Sequence, residues 1–165
     1  MLDQDYLKEL FEYKDGELYW KVKPANKVFI GDKAGTTNKK AGTTNRYAVV
    51  GINGKRRYKH KIIFIMVHGY SPIEIDFIDN NPANCRIENL RAATRSDAVC
   101  NSRKRKNNTS GYKGVSWDIR KNKWVSYIMK NQKRIHLGYF KDIKKAYEVY
   151  CIAAKKYHGE FAKLN

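Results

Sequence analysis

Residues 111–165 read GYKGVSWDIRKNKWVSYIMKNQKRIHLGYFKDIKKAYEVYCIAAKKYHGEFAKLN, and this stretch decides the architecture of the C-terminal part of the chain. Gly114–Ile119, Lys123–Lys130 and Arg134–Phe140 are strand-like. They are parted by Arg120-Lys121-Asn122 and Asn131-Gln132, residues suited to tight turns. Asp142 then precedes Ile143, Ala146, Tyr147, Tyr150, Ala153, Ala154 and Tyr157 at i, i+3, i+4 spacing. That pattern predicts an amphipathic helix with Asp142 as its N-cap. A three-stranded antiparallel sheet backed by one helix has one covered face and one free face. Alternation assigns Trp124, Ser126 and Ile128 to the covered face and Val125, Tyr127 and Met129 to the free one.

Outward from this segment the charge is uneven. The chain has 165 residues, a formal net charge of +18 and 42% hydrophobic residues, too much core material for a disordered basic tail. Residues 101–165 hold 17 basic and 4 acidic side chains, against 17 and 12 in residues 1–100. An excess concentrated in two-fifths of the chain points to a polyanion rather than to solubility alone. A membrane surface would call for a basic amphipathic helix, but here the basic residues lie in strand-like segments and in RKRKNNTS (103–110), the apparent linker. No apolar run approaches the roughly 20 residues of a membrane span, and the acidic start MLDQDYLKELF does not suit a signal peptide. Cys85, Cys100 and Cys151 form no C-x-x-C pair, which argues against a disulfide scaffold and against zinc and suits a reducing compartment.

With Tyr112-x-Gly114-Val115, Leu137-Gly138-x-Phe140, the Ala/Tyr-rich helix and the closing Ala162-x-Leu164-Asn165, this segment resembles the AP2 DNA-binding domain. The resemblance implies that the free face of the sheet lies in the major groove of double-stranded DNA. Carried over by position, the contacts would come from Lys113, Ser116, Asp118, Arg120, Val125, Tyr127, Met129, Arg134 and His136. Lys130 and the linker residues Arg103, Lys104, Arg105 and Lys106 would add phosphate contacts. One departure is plain. The outward positions of the second strand, usually polar or charged, are Val125, Tyr127 and Met129 here, and apolar side chains make no bidentate base contacts.

The rest of the chain reads as an α+β unit up to about residue 102. Tyr6, Leu7, Leu10 and Phe11 form a helical stripe over residues 3–13, followed by a strand in ELYWKV (17–22). KAGTTN occurs at 33–38 and again at 40–45, and Gly, Thr and Asn in that proportion suggest a polar loop. Asn53-Gly54, between Tyr47–Ile52 and Lys55–His60, is a strong hairpin signal. His60–His68 is an apolar run compatible with a buried helix or a buried strand. EIDFI (74–78) suggests a strand, and Thr94 or Ser96 could cap a short helix. Asp76, Asp79, Asp97 and Asn101, around an Asn-rich loop, have the oxygen chemistry of a Mg²⁺ or Mn²⁺ site, although Asp and Asn also simply form turns.

LFEYKDGELYWKV, NGKRRYKHKIIF and IDFIDNNPANCRIENLRAATRSDAVCN together resemble phage-type HNH homing endonucleases, and HNH followed by AP2 is a known arrangement in that family. The resemblance implies an HNH-like ββα-metal domain over 1–102, a basic linker over 103–110 and an AP2-like domain over 111–165, an α+β chain in all. It implies a metal ligand at Asp76, a loop-bracing residue at Asn89 and a DNA contact at His60. The general-base position that should follow Asp76 is Phe77, and the second ligand position, on the short helix, is Ala98. A phenyl ring accepts no proton and a methyl group binds no cation. The expectation is therefore a DNA-binding protein, cytoplasmic in the host cell of a phage or mobile element, with cleavage weakened or lost. Mg²⁺ or Mn²⁺ is expected only if cleavage survives through an altered site. A protein partner is the alternative if the scaffold has been repurposed.

Overall fold

The computed structural model describes residues 3–39 and 46–164, and it divides into two compact units, Met1–Ala92 and Ala93–Asn165. The second copy of KAGTTN, at 40–45, lies outside the described residues.

In the first unit, helix α1 (Gln4–Leu10) stops earlier than the apolar stripe suggests. Phe11–Lys14 forms strand β1, which pairs antiparallel with β2 (Glu17–Trp20). Asp15 and Gly16, with φ of 50° and 84°, make the tight turn. Pairing Phe11 with Trp20 brings their rings to 4.5 Å in the core, a tilted aromatic contact that favours the strand pair. The first KAGTTN copy is also not the loop its composition suggests. Thr36–Lys39 is strand β3, joined to β4 (Arg46–Ile52), which pairs with β5 (Lys55–Tyr58) through Asn53-Gly54.

Lys59–His68 is helix α2, so the ambiguous apolar run is helical; Ile62–Met66 is buried throughout. Its first residue, Lys59, is buried, and its ammonium donates to Glu17 at 2.6 Å. Strand β6 (Glu74–Phe77) pairs with β7 (Leu90–Ala93), and a 3-10 turn at Ile87–Asn89 leads into β7.

In the second unit, α3 (Arg95–Cys100) is capped by Thr94, whose hydroxyl accepts from the Asp97 amide while the Asp97 carboxylate accepts from Thr94. Strands β8 (Val115–Asp118), β9 (Lys123–Lys130) and β10 (Lys133–Phe140) form one antiparallel sheet with β9 in the middle. Helix α4 (Ile143–His158) packs Tyr150, Ala153 and Ala154 against Ile128, and Asp142 caps it by accepting from the Lys144 amide. Gly114 sits where β8 passes under this helix. Its φ is +75°, and a Cβ there would lie 2.1 Å from the Tyr150 ring, so only glycine fits.

Candidate functional site

Two regions carry the chemistry. The first is the β6–β7 pair and its connecting loop. Asn89 is buried at the base of that loop. Its amide nitrogen donates to Asp79 Oδ1 at 3.0 Å and to the Asn84 carbonyl at 2.8 Å, while its Oδ1 accepts from the Asp79 backbone at 3.0 Å. One side chain therefore ties both ends of the Asn-rich loop. Burial works to raise the Asp79 pKa, but hydrogen bonds from Asn84, the Asn81 backbone and Asn89 outweigh it and hold the carboxylate ionised below its ordinary range. The Asp and Asn residues of 79–84 are spent on one another as turn formers.

Asp76 is buried, and its Oδ2 accepts from Arg91 Nε at 2.9 Å and Nη2 at 2.8 Å. The guanidinium supplies a positive charge against the carboxylate expected to bind metal. Phe77 is also buried, and its ring meets His60 edge-on at 5.0 Å. Ala98 is half-buried on α3, and the Asp97 carboxylate beside it is engaged in the cap of that helix. Asn101, at the C-cap of α3, is buried. Among the described residues no three His, Cys, Asp or Glu side chains gather in a way that could hold a metal ion. Asp76 is paired with Arg91, and neither the phenyl ring of Phe77 nor the methyl group of Ala98 offers a metal donor atom.

His60, expected as a DNA contact, is buried. It lies in the first turn of α2, only 6% exposed, stacked at 5.4 Å on Tyr58 and against Phe77, with Nδ1 buried and unpartnered. Burial first, then the charge of Lys61, lowers its pKa to about 4, so the ring is neutral at physiological pH. It is a packing residue of the first unit. Its contact with Phe77 joins positions 17 apart in sequence, which no local pattern signals.

The second region is the sheet of the second unit. The register puts Ser116 opposite Val125, Asp118 opposite Lys123, Tyr127 opposite His136 and Met129 opposite Arg134, all on the face away from α4. A bulge between His136 and Gly138 returns Tyr139 to that same face, opposite Val125, and brings its ring to 4.7 Å from His136. Val125 faces outward in register, yet it is buried at 7% exposure, so it offers no contact to a ligand. Arg134 lays its guanidinium over the Tyr127 ring at 3.7 Å.

Lys113, expected as a DNA contact, is engaged within its own unit. Its ammonium donates to the carbonyls of Cys100, Ser102 and Lys163 at 2.8, 2.7 and 3.3 Å, and burial lowers its pKa. It ties the stretch after α3 to the C-terminal segment rather than facing a ligand. Lys130 caps the end of α4 through the Tyr157 carbonyl at 2.6 Å, and Lys104 donates to the Gly111 carbonyl at 2.6 Å. Arg103, Lys104, Arg105 and Lys106 are exposed, as are Arg120, Arg134 and His136, while Ser116 and Tyr127 are half-buried. Sequence reasoning missed Arg91 altogether. The available signal was one acid and one base, each set among apolar neighbours on two short strands joined by a loop.

Comparison with known proteins gives the same two parts in the same order. Residues 57–99, from β5 to α3, match the HNH endonuclease family model, and residues 110–160 match the AP2 domain model. Protein 3.8 of Escherichia phage T7 is 33% identical over 90 residues, which cover 54% of this chain and 74% of that protein. No solved structure matches. Among the described residues no helix is long and apolar enough to cross a membrane. The chain belongs to the HNH endonuclease family, in the form that joins an HNH domain to a following AP2 domain.

Proposed function

We propose that this protein binds double-stranded DNA through its AP2 sheet and basic linker, and that HNH-type phosphodiester cleavage is weakened or lost. The observation that carries the reading is the Asp76–Arg91 pair next to Phe77. A cation already neutralises the carboxylate, and no imidazole stands at the general-base position. Loss of a general base alone lowers a rate by about 10²–10⁴-fold. Binding has separate support in the 17 basic residues of 101–165, including the four exposed linker charges.

Gel-shift titration over a salt series, beside incubation of supercoiled plasmid with Mg²⁺ or Mn²⁺, tests both halves. The expected result is duplex binding that weakens steeply with salt and plasmid that stays supercoiled. Robust nicking that disappears in Asp76→Ala would sink the cleavage half. Replacing Arg103, Lys104, Arg105 and Lys106 together by Ala should weaken binding to all sequences alike, as phosphate contacts require. Phe77→His with Ala98→Asn tests the family positions. Cleavage should return only when Arg91→Met is added, because until then the guanidinium still holds Asp76.

A further inference from the structure

We infer that the free face of the β8–β9–β10 sheet selects DNA sites in which a guanine adjoins a thymine, with Arg134 reading the guanine, Met129 contacting the methyl group of that thymine, and Tyr139, four rungs along the same face, contacting the methyl group of a second thymine. The inference rests on the DNA-binding reading above and specifies its substrate.

Arg134 is exposed and lies over Tyr127 at 3.7 Å, so the guanidinium plane is fixed by the ring instead of swinging free. Stacking uses the face of the group and leaves its N–H edge for hydrogen bonding. Two parallel N–H donors of fixed orientation match the O6 and N7 acceptors that guanine presents in the major groove. Met129 stands directly opposite Arg134 in the register and is 42% exposed, although a thioether gains little from water. Tyr139, 41% exposed, is held on the same face by the bulge and packs on His136.

Cross-strand neighbours lie about 5 Å apart, close to the spacing of one or two stacked bases on a strand. Met129 therefore falls beside whichever base adjoins the one that Arg134 reads. The thymine methyl is the apolar group that base edges display in the major groove, so it is the partner a thioether or a ring face would favour there. Cytosine would instead bring an amino group against apolar surface and leave it without an acceptor. Val125 takes no part because it is covered. The apolar outward residues of β9, which cannot hydrogen-bond to bases, thus become a readout of their own.

The test starts with the full-length protein and a library of randomised duplexes, from which bound molecules are enriched and sequenced. The enriched duplex is then remade with deoxyuridine for thymidine, which removes only the methyl group, or with 7-deazaguanine for guanine, which removes N7. Affinity of the unaltered protein should fall about threefold to fivefold per contacted methyl lost and about tenfold for the contacted N7. Met129→Ser should lose its response to deoxyuridine at the thymine beside the guanine, and Arg134→Ala its response to 7-deazaguanine. An enriched site indifferent to both replacements overturns the inference, and this arm needs no protein variant. Salt-sensitive binding to every duplex without enrichment also overturns it while leaving DNA binding intact. Failure to bind any duplex at low salt would overturn the underlying reading as well.

Discussion

Arg91 and Arg134 sit on strands of similar kind in the two units and end in opposite ways. Arg91 is folded inward on β7, its guanidinium closed on the Asp76 carboxylate at 2.8 Å, both side chains little exposed. Arg134 is exposed on β10 and laid flat on Tyr127. The first unit pairs its buried charges and loop polar groups internally: Asp76 with Arg91, Glu17 with Lys59, and the loop acids and amides with Asn89. The second unit keeps most of its charge in solvent and spends few cations on structure, Lys113 and Lys130 among them. On the function proposed above, this contrast is how one family scaffold would keep DNA binding while HNH cleavage is weakened or lost.

The largest effect expected follows from breaking the internal pair. Arg91→Ala leaves a buried carboxylate without its cation and should cost about 3–5 kcal/mol, measured by urea unfolding with hydrogen exchange at the β6–β7 amides. Asp76→Leu with Arg91→Met, which removes both charges, should recover most of that loss. If the single and double variants were equally damaged, packing rather than charge would hold the strand pair together.

In the second unit the most sensitive point is steric, not electrostatic. Gly114→Ala forces a Cβ at positive φ into the Tyr150 ring. A loss of about 3 kcal/mol, confined to the sheet and α4, is expected from the combined clash and strain. Loss of the same size in the first unit would mean that the two units do not unfold separately.

Protonation of His60 gives a smaller and pH-limited effect. Its folded pKa of about 4 lies below the unfolded value of 6.5, so the unfolded chain binds the extra proton first as pH falls. Stability is therefore full above pH 6.5 and declines as pH falls toward 4, by at most about 3 kcal/mol. His60→Phe should flatten that part of the profile for the first unit. An unchanged profile in this variant would show that another group carries the acid sensitivity.

Much of the fold could be read from local pattern. The turn at Asn53-Gly54, the three strands after Gly114 and the cap at Asp142 each depend on residues close together in sequence. Misreadings came where two patterns shared the same residues. Phe11 fits a helical stripe and also a strand pair with Trp20, and only the long-range pair decides between them. Residues 62–66 are buried on every side of α2, so no period separates helix from strand. In the first KAGTTN copy, pairing with β4 overrides a loop-like composition. At the site, Phe77 and Ala98 could be read directly as side chains that neither accept a proton nor bind a cation. The Arg91 clamp, the His60–Phe77 contact and the three carbonyls around Lys113 could not, because each depends on tertiary geometry between distant residues.

The smallest expected stability effect belongs to Arg134, and it completes the contrast with Arg91. An exposed guanidinium over a tyrosine contributes about 0.5–1 kcal/mol, because water solvates it nearly as well when the ring is gone. Arg134→Ala should therefore shift the urea midpoint of the sheet only slightly, well short of the loss caused by Arg91→Ala. The order should invert when DNA affinity is measured: Arg134→Ala weakens binding clearly, whereas the charge-free Asp76→Leu, Arg91→Met pair leaves it nearly unchanged. That inversion separates a cation kept for a ligand from a cation kept for the fold. If Arg134→Ala instead destabilised the sheet by several kcal/mol and left affinity alone, Arg134 would be structural, and the two units would not differ in the way their charges are used.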